Sequence, residues 1–159
     1  MNLPADNKQL LIVANQPSTN TAHLARCVLE GAMHPDLSGV TATLKQPLDT
    51  TPDDVLACHG LIIGSTENFG SMAGLIKDFL ERIYYPCLEN TQGLALGVYV
   101  KAGNDGAGTI SSIERIVTGL RWAHIQPPLL LQGDYQSEFD AKCHELGMTM
   151  AAGLDAGIY

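Results

Sequence analysis

A chain of 159 residues fits one domain, read as residues 1–159, and a chain near this length buries about 70% of its unfolded surface, so a full core needs no disulfide or metal staple. With 45% hydrophobic residues and no apolar run near the roughly 20 residues of a membrane span, it reads as an ordinary globular protein rather than a membrane one. A net charge of −8 and a pI near 4.9 argue against a nucleic-acid partner and leave room for a basic protein partner.

The polar stretch Met1–Gln9 has no apolar leader segment, which predicts a cytoplasmic protein. Leu10-Leu11-Ile12-Val13-Ala14 is a continuous apolar run, the pattern of a strand buried on both faces of a parallel sheet. Thr21–Met33 follows as a helix, with Leu24 and Val28 four apart on one side. After Gly39, the alternating β-branched residues of Val40–Leu44 suggest a second strand at a sheet edge. Thr51-Pro52-Asp53-Asp54 opens a short helix, with Thr51 as N-cap, Pro52 at N1 and Asp54 in the first turn. Cys27, Cys58, Cys87 and Cys143 lie far apart without a C-x-x-C and read as reduced thiols.

Leu61–Gly64 is the third strand. Ser71–Tyr84 is helical, because Met72, Leu75, Ile76, Phe79, Leu80 and Ile83 form one stripe. Lys77/Glu81 and Asp78/Arg82 pair away from that stripe, and Pro86 ends the helix. Leu94–Val100 is the fourth strand. Thr109–Trp122 is helical by Ile110, Ile113, Ile116, Val117 and Leu120. Pro127-Pro128 confine the fifth strand to Leu129–Leu131 and its neighbours. Ser137–Leu154 forms the last helix, with Ser137 and Asp140 in capping-box positions. Five βα units in succession predict an α/β doubly wound three-layer sandwich around a five-stranded parallel sheet of order 2-1-3-4-5. Its ligand would sit at the reversal of winding between strands 1 and 3.

Three polar loops follow strands one, three and four, at the strand ends where ligands bind. Gln16-Pro17-Ser18-Thr19-Asn20-Thr21 leads from a buried strand into a helix N-terminus, whose unpaired N–H groups and dipole attract an anion. It contains neither the lysine of a Walker A loop nor a G-x-G-x-x-G, so its neutral donors suit a phosphate monoester. The same hydroxyls and amide equally suit simple helix capping. Ser65-Thr66-Glu67-Asn68-Phe69-Gly70-Ser71 sets an aromatic among polar residues; either a flat ring covers Phe69 or it folds under the loop as a plug. Lys101-Ala102-Gly103-Asn104-Asp105-Gly106-Ala107-Gly108 carries three glycines, which let backbone approach a heteroaromatic edge. His23 and Cys27, four apart on a predicted helix, are ligands of metal-binding type, but two ligands do not make a site. Cys58-His59 and Cys143-His144 read as packing. Ser65 lacks the G-x-S-x-G setting of a nucleophile elbow.

Ile12–Ala25, in the shape apolar strand, S/T-x-T-x-N-T, helix, resembles the phosphate-binding loop of the flavodoxin-like superfamily. Asn20 and Thr21 match; Gln16 and Ser18 replace the first hydroxyl residue and the threonine. Gly64–Leu80 resembles the second loop and helix of flavodoxin-fold FMN-dependent NAD(P)H:quinone oxidoreductases. Their pattern G-[ST]-[PT]-x-x-[FY]-G-x-M reads here as Gly64, Ser65, Thr66, Phe69, Gly70 and Met72. The resemblance implies a flavodoxin-like fold and non-covalent FMN. Gln16, Ser18, Thr19, Asn20 and Thr21 would hold its phosphate. Ser65, Thr66, Glu67, Asn68, Phe69 and Gly70 would line the isoalloxazine, with Lys101, Ala102, Gly103, Asn104 and Gly106. Two departures stand out: Pro17 removes a backbone donor, and Thr19 replaces a usual glycine.

The resemblance implies no catalytic side chain, because flavin carries the redox chemistry itself, and two candidate ligands are too few for a metal to be expected. The third loop has no aromatic, which would leave one ring face open to a small molecule. That favours an oxidoreductase passing electrons from NAD(P)H to a quinone-like acceptor. Lys101 would either stabilise reduced flavin or stand as a solvated strand end. Two alternatives remain: an electron-transfer flavodoxin docking on a redox partner, and a flavin-free interaction module. The resemblance also admits a homo-oligomer.

Overall fold

The computed structural model describes residues 7–159, so the reading of Met1–Gln9 lies, for its first six residues, outside the described residues. The strands in chain order are β1 (Lys8–Ala14), β2 (Val40–Lys45), β3 (Gly60–Asn68), β4 (Ser71–Met72), β5 (Ala95–Ala102), β6 (Ala123–His124) and β7 (Leu129–Gln132). The helices are α1 (Thr19–Ala32), α2 (Pro52–Ala57), α3 (Gly74–Leu88), α4 (Ala107–Leu120) and α5 (Glu138–Asp155). Among the described residues no helix is long and apolar enough to cross a membrane.

The parallel order is β2-β1-β3-β5, with β6 and β7 both paired to the outer side of β5. This is the expected 2-1-3-4-5 winding, and its reversal lies between β1 and β3. Period-two alternation divides the apolar run of β1 between two cores. Leu11 and Val13 join Ile76, Phe79, Leu80 and Ile83 of α3 and Ile113, Val117 and Leu120 of α4. Leu10 and Ile12 join Leu24 and Val28 of α1 and Cys143, Leu146 and Met150 of α5.

Among the described residues the sheet has seven strands rather than five, and both additions have local causes. The expected fifth strand is split. β6 pairs at the start of β5 (Ala95↔Ala123) and β7 at its end (Tyr99↔Leu129). Pro127 and Pro128, which carry no N–H, interrupt the ladder between them. β4 arises because β3 runs on through Ser65–Asn68, expected as loop, and turns back: Glu67 faces Met72 and Asn68 faces Ser71 in antiparallel register. The second polar loop is thus a two-residue β-hairpin, with Phe69 at φ 52° and Gly70 at φ 73°. Positive φ at both positions is the signature of a type I′ turn, whose twist matches that of the flanking strands.

Three expectations for the helices need correction. Pro86 does not end α3, which continues to Leu88; a proline in the last turn forfeits a single intrahelical bond. Leu75, placed in the apolar stripe, is exposed, and Met72 belongs to β4. Ser137 makes no side-chain cap on α5, because its backbone is already helical at φ −59° and ψ −26°, and the Asp140 carboxylate is bonded to His23 and Tyr135 rather than back to the helix start. The equivalent reading at α2 holds: the Thr51 hydroxyl accepts from Asp54 N–H, and Asp54 accepts from Thr51 N–H at 2.8 Å.

α1 and α5 approach each other through glycine. A Cβ added to Gly147 would meet the Val28 carbonyl oxygen, and one added to Gly31 would meet the His144 carbonyl oxygen. All four cysteines are free thiols.

Candidate functional site

The three polar segments gather at the carboxyl ends of β1, β3 and β5. Ser18 is the N-cap of α1, and its exchange with Thr21 is reciprocal. Ser18 Oγ accepts from Thr21 N–H at 3.2 Å, and Thr21 Oγ1 accepts from Ser18 N–H at 2.9 Å. Both hydroxyls therefore cap the helix. The N–H groups of Thr19 and Asn20 have no hydrogen-bond partner among the described residues and lie in an exposed first turn. Such groups, with the helix dipole behind them, are what an anion meets. Thr19 is not at positive φ, so replacement of a glycine there brings no backbone strain. Pro17 precedes the N-cap, so its missing donor is not one of the first-turn amides. Gln16 reaches back to the Ala14 carbonyl at 3.5 Å.

Asn15, which sequence reasoning missed, ties the first loop to the second. Its Nδ2 donates to Thr66 Oγ1 at 3.0 Å, its Oδ1 accepts from Thr66 N–H at 3.1 Å, and its own N–H donates to the Gly64 carbonyl. A buried amide at the winding reversal was the available sign, hidden because it directly follows an apolar strand. Removing it in Asn15→Ala leaves the Thr66 N–H without that partner and should lower the unfolding free energy by about 2 kcal/mol. Urea denaturation measures this, and an unchanged midpoint would show that Asn15 does not hold the loops.

The second and third loops are tied by Glu67. Its carboxylate oxygens accept from Asn104 N–H and Gly106 N–H, each at 2.8 Å. The amides expected to face a heteroaromatic edge are thus gathered by a side chain of the neighbouring loop. Gly106 sits at φ 68° as the N-cap of α4, where the Asp105 carboxylate accepts from Ala107 N–H. A Cβ on Gly108 would strike the Gly70 carbonyl oxygen, so the hairpin tip rests against the start of α4. Thr66 donates onward to Asn68 Oδ1 at 2.8 Å. Phe69, at the tip, is fully exposed; it does not fold under the loop.

Other expected residues are placed differently. Ser65 is buried, accepts from Ala73 N–H at 3.0 Å and donates to the Thr66 carbonyl, so its hydroxyl braces the entry to α3. Lys101 donates to the Gly133 carbonyl and lies 6.0 Å from the centre of the Phe139 ring. Ala102 is buried in β5, and Gly103 opens the loop after it. Beneath the loops, Tyr99 of β5 lies over Gly64, where an added Cβ would collide with its ring. Burial pushes the Tyr99 hydroxyl well above its ordinary pKa, so it stays protonated. Tyr99, Asn15, Thr21 and Thr66 border a cavity of about 10 Å³, room for a single water. Larger concavities lie elsewhere, at Gln9–Lys45–Asp54 (about 270 Å³) and at His23–Cys27–Asp140 (about 650 Å³).

No protein-family model matches the sequence. A flavodoxin from Aquifex aeolicus (strain VF5) is 28% identical over 112 residues, which cover 70% of this chain and 60% of that protein. The match thus spans less than two thirds of the relative's length. Among solved structures, a flavodoxin from the domain Archaea superposes with a TM-score of 0.79 at 18% identity, covering 92% of this chain and 98% of that one. An NADH:FMN oxidoreductase in its apo form gives a TM-score of 0.73 at 15% identity, covering 92% and 90%. The chain has a flavodoxin-like fold.

Proposed function

We propose that this chain is an FMN-binding flavoprotein, and that it draws electrons from NAD(P)H to reduce a quinone-like small molecule. The reading is carried by unpaired first-turn amides and an uncovered aromatic displayed on the same rim of the sheet. Orphaned N–H donors fit a phosphate monoester, and an exposed phenylalanine fits a planar ring system. Similarity to a flavodoxin and to an NADH:FMN oxidoreductase supports the same cofactor.

Bound FMN would supply reversible one- and two-electron transfer. Thr19 and Asn20 would hold its phosphate through backbone N–H groups, aided by their own side chains and that of Gln16, while Ser18 and Thr21 fix the helix start. Thr66, Asn68, Phe69 and Gly70 would line one side of the ring, with Gly103, Asn104 and Gly106 across the rim. Glu67 sets the shape of the third loop by gathering its amides, which lowers the ordering cost of binding. Lys101 would contribute its charge from a fixed position at the Gly133 carbonyl. The third loop, without an aromatic between Gly103 and Gly106, leaves room for a small acceptor.

The visible spectrum of the purified protein, before and after FMN addition, tests the cofactor. Binding of one FMN per chain is expected, followed by anaerobic bleaching with NADH or NADPH. A protein that stays colourless with FMN removes the flavin reading altogether. FMN binding without bleaching would favour electron transfer to a protein partner, a reading that the net charge of −8 supports by suiting a basic docking surface.

A further inference from the structure

We propose that His23, Cys27 and Asp140 form a binding site for a divalent metal ion of the zinc type, built between α1 and α5. His23 and Cys27 are one helical turn apart on α1, so they share a face. Asp140 comes from α5, 117 residues further along the chain. The three donor atoms all lie within 4.8 Å of one another. His23 Nε2 is 2.8 Å from Asp140 Oδ2 and 3.7 Å from Cys27 Sγ.

These distances suit a tetrahedral ion. With Zn–S near 2.3 Å and Zn–N near 2.0 Å, the nitrogen–sulfur edge of the tetrahedron is about 3.5 Å, close to the 3.7 Å found. The nitrogen–oxygen edge would be about 3.3 Å, so the imidazole and carboxylate need part by only about half an ångström. Both side chains are partly exposed, at 41% and 33%, and are free to do so.

The same geometry argues against a nucleophilic triad. In a Cys-His-Asp triad the thiol and the carboxylate engage opposite ring nitrogens. Here both approach Nε2, so the ring cannot relay a proton between them; three donors converge on one point instead. Tyr135 completes the arrangement. Its hydroxyl donates to Asp140 Oδ1 at 2.8 Å and leaves Oδ2 turned toward His23, which is how an outer partner orients a carboxylate ligand. The cluster opens into the concavity of about 650 Å³ that Glu30 and His144 also line, so a fourth position remains for water or for Glu30. Mixed sulfur, nitrogen and oxygen donors favour zinc or cobalt over magnesium or calcium, which take oxygen. On binding, the Cys27 thiol loses its proton to the buffer, and thiolate and carboxylate together balance the two positive charges.

Calorimetric titration of the purified chain with zinc chloride tests the site independently of flavin. The expected result is one zinc per chain, with proton release seen as a dependence of heat on buffer ionisation enthalpy. Cobalt should give a thiolate-to-metal charge-transfer band. Cys27→Ser should abolish that band and weaken zinc at least about tenfold; Tyr135→Phe, which leaves the core untouched, should weaken it by roughly tenfold. Cys143→Ser should retain both. Absence of saturable zinc binding, or a cobalt band that survives in Cys27→Ser, overturns the proposal and leaves the cluster as a hydrogen-bonded clamp between two helices. Unchanged zinc affinity in Tyr135→Phe counts against it even if Cys27→Ser fails to fold.

Discussion

Gly147→Ala should lower the unfolding free energy by about 3 kcal/mol, the upper end of what overpacking costs. The added methyl would meet the Val28 carbonyl oxygen, and the amide nitrogen of Ala32 lies only 3.0 Å from the same point. Neither atom belongs to a side chain, so no rotamer change relieves the contact. Relief requires α1 and α5 to part. That separation strips contacts from Leu24, Val28, Cys143, Leu146 and Met150 together, all of them buried between these helices and the sheet. Gly31 makes the reciprocal approach to the His144 carbonyl oxygen. The double variant Gly31→Ala/Gly147→Ala should therefore cost less than the sum of the two singles, since one displacement serves both. Urea denaturation gives the numbers. A loss below about 1 kcal/mol for Gly147→Ala would mean that the helices sit further apart than described.

The parts of this fold that were legible in the sequence are those fixed by local chemistry. The apolar run of β1, the Ile76, Phe79, Leu80 and Ile83 part of the α3 stripe and the Thr51–Asp54 cap each depend on residues within a few positions of one another. Where a distant partner competes, the same local pattern misleads. Ser137 and Asp140 have capping-box spacing, but a carboxylate that accepts from His23 and Tyr135 is not available to a helix terminus. β6 is two residues long and carries no periodicity to read. The extension of β3 depends on Phe69 adopting positive φ, which nothing in the residue type announces. The gathering of polar segments at the carboxyl ends of β1, β3 and β5 was legible from strand-then-polar-loop order. Asn15 and Tyr99 were not, because their roles exist only once β1, β3 and β5 lie side by side. Glu67 was expected to line a flat ring; its grip on the Asn104 and Gly106 amides is a cross-loop contact that no spacing rule encodes.

Phe69 carries two costs to the fold. Its backbone is left-handed at φ 52°, which costs a residue bearing Cβ about 1–2 kcal/mol. Its ring is fully exposed, so none of its apolar surface stabilises the fold. Phe69→Gly removes both. After allowance for the greater freedom of glycine in the unfolded chain, it should raise the unfolding free energy by about 0.5 kcal/mol. The same change should weaken FMN by about 2 kcal/mol, roughly thirtyfold, if the ring stacks against the isoalloxazine as aromatic platforms do against bases. Phe69→Ala separates the two effects: it retains the left-handed backbone and loses the ring, so affinity falls as in the glycine variant while stability stays near the parent. Flavin-fluorescence titration reads the first quantity and urea denaturation the second. Unaltered FMN affinity in both variants would remove Phe69 from the binding rim. A glycine variant less stable than the parent would place its ring in a packed environment rather than in solvent.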